Sequence, residues 1–201
     1  MVAAGWDCAD TLRMLPAIPH DCRVIVIEGI PGAGKTTLAR QLEQGVEGRP
    51  VASFGESALL HGWKHAYLPG IHGLRVQLHQ SVLDRIEAEP HDGALFVLTR
   101  FHLSHVLLGG DSTAVGYRHI LERLAGLHAH VLVPVVPDDE IEARASHPDR
   151  DDWQWRAHLQ RRMADTGCND LRGLYGRYQA ELLGLLEAQP LSYTTLPPLS
   201  P

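Results

Sequence analysis

Four residues carry the first chemical signal. Gly29, Gly34, Lys35 and Thr36 satisfy G-x-x-x-x-G-K-[ST] within the stretch IEGIPGAGKTT. A polyphosphate needs many donors brought close to it, and this pattern supplies them. Gly29, Gly32 and Gly34 permit backbone conformations that a Cβ would obstruct, so that successive N–H groups turn inward. The helix that should begin near Lys35 adds the unpaired N–H groups of its first turn and the positive end of its dipole. On that chemistry Lys35 reaches the β- and γ-phosphates of a nucleotide as a point charge and the Thr36 hydroxyl ligates Mg2+, with Pro31, Ala33 and Thr37 completing the cradle. Because glycine averages near 7% of residues, four specified positions match by accident in roughly one chain of this length in a hundred or fewer.

The motif needs a strand before it and a helix after it, and the sequence offers both. Arg23 to Ile27 contains four consecutive β-branched residues, the composition of a strand buried on both faces of a parallel sheet. A helix follows from Lys35 to about Gln44, stopped by Gly45 and Gly48. Further strands are expected at Pro50 to Phe54, Ala94 to Leu98, Val131 to Val136 and Leu191 to Leu196, with Pro134 marking a bulge or an edge. Between them, Gly70 to Glu89 is helical with Leu74, Leu78, Val82 and Ile86 as its core face. A second helix starts at the N-cap Ser112 and buries Val115, Ile120, Leu121 and Leu124. After Pro137-Asp138-Asp139 a short helix runs to about Ala145, a polar loop follows from Ser146 to Trp153, and a long helical region covers Trp155 to Ala188 with an interruption at Gly167 and a second candidate break at Gly173. Alternating strands and helices imply right-handed parallel crossovers. The expected fold is therefore a three-layer α/β/α sandwich with a five-stranded parallel sheet, a P-loop NTPase, in a single domain over 1–201. Residues 1–22, with a short helix around Thr11 to Leu15, form a lead-in, 144–156 a lid-like segment and 197–201 a frayed tail.

Composition narrows the partners. With 201 residues and 44% hydrophobic content the chain can bury a substantial core. A net charge of −6 argues against a nucleic-acid surface, which needs clustered Lys and Arg. Cys8, Cys22 and Cys168 are odd in number and widely spaced, which points to neither a disulfide framework nor zinc, and a reducing cytoplasm is the expected location. The first twenty residues lack a signal-peptide pattern, and no apolar run approaches a membrane span. The pairs His61/His65, His102/His105 and His128/His130 lie outside recognised metal-ligand spacings.

The carboxyl ends of the strands should bring Glu28, Glu56, Thr99, Arg100 and Asp138 to one crevice. A phosphoryl acceptor needs a carboxylate to take its proton and cations around the moving group. Glu56 fits the first role and Arg100 the second, an ordinary surface ion pair being the alternative.

At these residues the chain resembles the thymidylate kinase and deoxynucleoside kinase superfamily of P-loop kinases. The stretch LDRIEAEPHDGALFVLTRFHLSHVLLGGD, residues 83 to 111, is similar to that family's helix ending in Asp-Arg, buried strand and Asp-Arg-Tyr-x-x-Ser. Asp84-Arg85 match the first dipeptide, and Arg100, Phe101 and Ser104 the second motif. The resemblance implies that Arg100 contacts the acceptor side, that Arg85 shapes the acceptor site, and that Glu56 and Trp63 are a catalytic carboxylate and a base-stacking ring. It also implies that Arg144 and Arg150 belong to a lid closing over ATP. Gln77 or Gln80 is a candidate for reading a base edge. One position departs from the family: Thr99 stands where an acidic residue precedes the arginine, so Glu56 or Glu28 substitutes or the substrate differs.

The expectation is an ATP- and Mg2+-dependent phosphotransferase acting on a nucleoside or nucleotide. Kinase activity on another hydroxyl compound, such as an antibiotic or secondary metabolite, is the first alternative, and a non-catalytic nucleotide-binding regulatory module the second. A small-molecule acceptor, no nucleic acid and no membrane are the expected partners, with the faces from Leu74 to Ile86 and around Leu121 available to a homodimer.

Overall fold

Five short strands set the architecture of the computed structural model, which describes residues 18–19, 21–44, 46, 49–55, 70–89, 93–109, 111–146 and 153–199. β1 (Val24–Ile27), β2 (Val51–Phe54), β3 (Leu95–Thr99), β4 (His130–Pro134) and β5 (Ser192–Leu196) pair in parallel in the order β2-β3-β1-β4-β5. Alternation along the strands sends Val24, Val26, Phe96, Leu98, Val131 and Val133 to one face and Ile25, Ile27, Leu95, Val97 and Leu132 to the other. Both sets are buried, which is why these strands read as continuous apolar runs.

Helices cover the two faces. α1 (Lys35–Glu43) packs Leu38, Ala39 and Leu42 on the second face. The first is covered by α2 (Ile71–Ala88), α3 (His102–Gly109), α4 (Asp111–Gly126) and α7 (Leu171–Glu187). The result is a three-layer α/β/α sandwich around a five-stranded parallel sheet. A 3-10 turn (Asp138–Glu140), α5 (Ile141–Ala145) and α6 (Trp153–Thr166) lie beyond the end of β4. There Ile30 and Ala33 of the glycine-rich loop join Val136, Ile141, Ala145, Trp155, Leu159, Leu174 and Tyr175 in a third apolar cluster, which ties the loop to α5, α6 and α7. No helix among the described residues is long and apolar enough to cross a membrane.

Several expectations from sequence need correction. The buried stripe of α2 runs through Ile71, Arg75, His79, Leu83 and Ile86, whereas Leu74 is 47% exposed. A strict four-residue repeat drifts by roughly 40° per step on a helix of 3.6 residues per turn, so Leu74 and Ile86 cannot share a face. α3, immediately after β3, was not anticipated. Pro134 marks neither an edge nor a bulge, because β4 lies between β1 and β5. It is the last residue of its strand, beyond the Ile27–Leu132 pairing, where a missing N–H breaks no ladder bond to β1. The long helical region divides at Gly167 into α6 and α7, as expected, but Gly173 lies inside α7, where its N–H donates to the capping Asp170 at 2.6 Å. The segment after β5 is docked instead of frayed: Leu199 is buried and its N–H donates to the Ala33 carbonyl at 3.2 Å.

Candidate active site

β1 delivers the glycine-rich loop at the carboxyl edge of the sheet. Gly32 and Gly34 adopt φ of 83° and 91°, a region that other residues rarely enter. Both are also crowded. A Cβ on Gly32 would lie 2.5 Å from the Arg144 carbonyl oxygen, and one on Gly34 would lie 2.6 Å from Leu199 Cβ. Pro31 and Ala33 are buried beneath the loop. The Lys35 ammonium is folded into the arc and donates to the carbonyls of Gly29 at 2.8 Å and Ile30 at 2.7 Å. The first helical bond of α1 runs from Leu38 N–H to the Gly34 carbonyl at 2.9 Å, so the amides of Lys35, Thr36 and Thr37 have no carbonyl in their own helix to serve. The Thr36 side chain is exposed beside them. A cation, a row of N–H donors and an open hydroxyl on the last turn of one arc fit an anion with several oxygens and its counter-cation.

Next to the loop, Glu28 is fully buried. Its Oε1 accepts from Leu103 N–H at 3.2 Å and Ser104 N–H at 3.4 Å, and its Oε2 accepts from the Ser104 hydroxyl. Burial pushes this carboxyl up from its ordinary value, opposed by the Ser104 bonds and by the charges of Lys35 and Arg100. Both oxygens thus accept from the first turn of α3, which anchors that helix to the end of β1. Arg100 follows β3 with φ of 53°, unusual for a residue with a side chain, and its N–H donates to Ile27 at 2.9 Å. That geometry turns the chain from β3 into α3 and keeps the guanidinium near Glu28 and His105.

Behind Ser104 lies a polar cluster that sequence reasoning missed. Arg75 and His79 of α2, His102 and His105 of α3 and Tyr117 of α4 are all buried. The His79 ring packs edge-on against Phe101, His105 and Tyr117 with centroids 4.4, 4.9 and 5.4 Å away. Neither ring nitrogen of His105 nor the Tyr117 hydroxyl has a hydrogen-bond partner among the described residues. His79 faces the carbonyls of Arg75 and Phe101 without a well-aligned bond. Burial lowers His79 to about 3, His105 to about 2 and His102 to about 4, and raises the Tyr117 phenol. The cluster is therefore one cation surrounded by neutral donor–acceptor groups. A 3.6-residue fit through Ile71 would have exposed the Arg75 and His79 positions in the sequence.

The other expected site residues scatter. Gln77 is exposed and Gln80 only half-buried, both off the buried stripe of α2. Arg85 is exposed and pairs with Glu89 at 3.2 Å in the last turn of α2. That turn sits at the opposite edge of the sheet, where Ile86 accepts from Arg23 ahead of β1, so Arg85 does not shape a site at the loop. Its neighbour Asp84 pairs with Arg123 of α4 at 2.8 Å, and Asp138 pairs with Arg172. Arg144 does reach the loop, but its guanidinium is held by Glu140 at 2.8 Å and by the Leu199 carbonyl at 3.0 Å. Glu56, Trp63 and Arg150 lie outside the described residues, as do residues 1–17 with the expected lead-in helix.

No family model matches the chain, and no curated protein matches it. Among solved structures the chain matches a thymidylate kinase from Candida albicans at 14% identity and a TM-score of 0.43, over 83% of this chain and 91% of that one. At that level the likeness concerns the general course of the chain.

Proposed function

We propose that the protein transfers the γ-phosphoryl group of ATP to a small-molecule acceptor, with a nucleoside or nucleotide as the acceptor class. The observation that carries the reading is the loop, where Lys35, the amides of the first turn of α1 and the Thr36 hydroxyl converge at the carboxyl edge of a parallel sheet. Lys35 and those amides would hold the donor phosphates, and Thr36 would ligate Mg2+, which when bound neutralises the β- and γ-oxygens. The acceptor oxygen bonds to the γ-phosphorus as the bond to the β–γ bridging oxygen breaks; where that oxygen belongs to a hydroxyl its proton passes to a carboxylate, the role assigned to Glu56. Arg100, with Arg144 and Arg150, would offset charge on the moving group.

Transfer to a second substrate, rather than hydrolysis or signalling, is supported by the polar cluster beyond Glu28 and Ser104. Buried ring nitrogens and a buried hydroxyl without described partners are costly unless something hydrogen-bonds them. Thr99 favours a second acceptor class, another hydroxyl-bearing compound, because it brings no negative charge to the tip of β3.

ADP release measured with a panel of nucleosides, their monophosphates and unrelated hydroxyl compounds tests both. The first reading expects turnover with nucleosides or nucleotides, the second only with the others. Lys35→Ala should abolish turnover and leave the circular dichroism spectrum unchanged; undiminished ADP release in that variant would refute the site.

A further inference from the structure

The glycine-rich loop is contacted from outside by a segment that belongs to neither β1 nor α1. After β5 the chain crosses the second face of the sheet, and Leu199 buries its side chain with Leu38, Ala39 and Leu42 of α1. Its N–H donates to the Ala33 carbonyl at 3.2 Å, and its own carbonyl accepts from Arg144 Nη1 at 3.0 Å. One residue thereby links the loop to α5, whose Arg144 backbone already abuts Gly32.

The direction of the first bond decides its consequence. In a planar trans peptide the carbonyl of one residue and the N–H of the next point to opposite sides, and the described chain has no cis peptide. Holding the Ala33 carbonyl outward against Leu199 therefore turns the Gly34 N–H inward, toward the side on which Lys35 and the first-turn amides lie. Leu199 takes a carbonyl of the loop and leaves the amide donors alone. Gly34, at a positive φ, is the residue whose freedom would otherwise let that peptide flip.

We propose that Leu199 is a positioning residue for nucleotide phosphate: its backbone fixes the peptide between Ala33 and Gly34 with the N–H facing the ligand and, through Arg144, keeps α5 against Gly32. The proposal rests on the reading of the loop as a phosphate cradle. It requires no contact between Leu199 and the nucleotide.

Leu199→Pro removes the N–H while keeping the carbonyl, and Leu199→Ala keeps both backbone groups while loosening the side chain. Leu199→Ile is the conservative variant. Binding of ADP and of ATP would be titrated calorimetrically, kcat and KM for ATP measured with an acceptor that turns over, and hydrogen exchange followed at Gly32 to Thr37. Leu199→Pro should weaken nucleotide binding about three- to tenfold, the range one backbone hydrogen bond is worth, with faster exchange at Gly34. KM for ATP should rise while kcat at saturating ATP stays within about twofold, because bound nucleotide restores the loop. Leu199→Ile should match the parent protein, and Leu199→Ala should show a smaller rise in the same direction, which keeps the test open should the proline variant not fold. Unchanged affinity in both, or a fall in kcat without a change in KM, would overturn the proposal. Tighter binding would also overturn it, by showing that the segment obstructs the loop. Lys35→Ala measured in parallel separates the premises: loss of binding there with none at Leu199 sinks only the positioning role, whereas intact binding in Lys35→Ala sinks the phosphate reading itself.

Discussion

Acidification is the perturbation that probes the buried histidines most directly. His79, His102 and His105 titrate at about 3, 4 and 2 in the fold because burial penalises their charged forms, whereas in the unfolded chain each returns to about 6.5. Above that value both states are neutral and the stabilising contribution is fully present. As pH falls below it the unfolded chain takes up protons that the fold refuses, so the contribution is lost progressively down to the folded values. At pH 5.5, about one unit below the unfolded value, each histidine costs about 1.4 kcal/mol and the three together about 4 kcal/mol, whatever their exact folded values. A domain of this kind has only about 5–15 kcal/mol to lose. Glu28 acts in the opposite sense: its raised folded pKa makes its contribution strongest at low pH and weaker as pH rises, so it offsets part of the fall. His158 on α6, lowered to about 4 by burial and by Arg162 and Arg161, adds to the fall. Urea unfolding followed by tryptophan fluorescence at about pH 7.5 and 5.5 reads the effect. With a slope of about 2 kcal/mol per molar urea, the midpoint should drop by roughly 2 M. His105→Asn should recover about a third of that drop. A midpoint that moves by less than about 0.5 M would mean that the cluster takes up protons in the fold, and the burial argument would fail.

Two substitutions test the geometry around the loop. Gly32→Ala places a Cβ 2.5 Å from the Arg144 carbonyl oxygen at a φ of 83°, so α5 must shift or the loop must strain. A cost of about 1–3 kcal/mol in thermal stability is expected, with nucleotide affinity reduced about tenfold in a calorimetric titration. Glu28→Ala strips the acceptor from Leu103 N–H, Ser104 N–H and the Ser104 hydroxyl, all buried, and should cost about 2–4 kcal/mol in urea unfolding, while Glu28→Gln, which keeps an acceptor, should cost about half as much. Equal losses in the two Glu28 variants would show that charge, not hydrogen bonding, is what α3 requires.

The sequence by itself determined the parts that depend on local chemistry. Four β-branched residues followed by the glycine-rich loop and a helix start can form little other than strand, tight turn and helix, since each residue's type constrains its own backbone and immediate neighbours. Strand sites near Leu98 and Val133 were legible for the same reason, as buried parallel strands are apolar without interruption. What only tertiary structure decided is what meets across distance. Arg75 and His79 look like surface residues of α2 until α3 and α4 close over them, and a repeat of leucines at intervals of four hid the true stripe. Glu28 gave no sign in the sequence that the first turn of α3 would bond to both its oxygens. Arg85 looked like a site residue until the direction of α2 carried it to the far edge of the sheet. Leu199 gave no local signal, because its role comes from a hydrogen bond to a residue 166 positions earlier, at Ala33. Sequence periodicity reports which side of an element is apolar, but polar side chains are placed by the elements that pack over them, and those contacts are set by the fold.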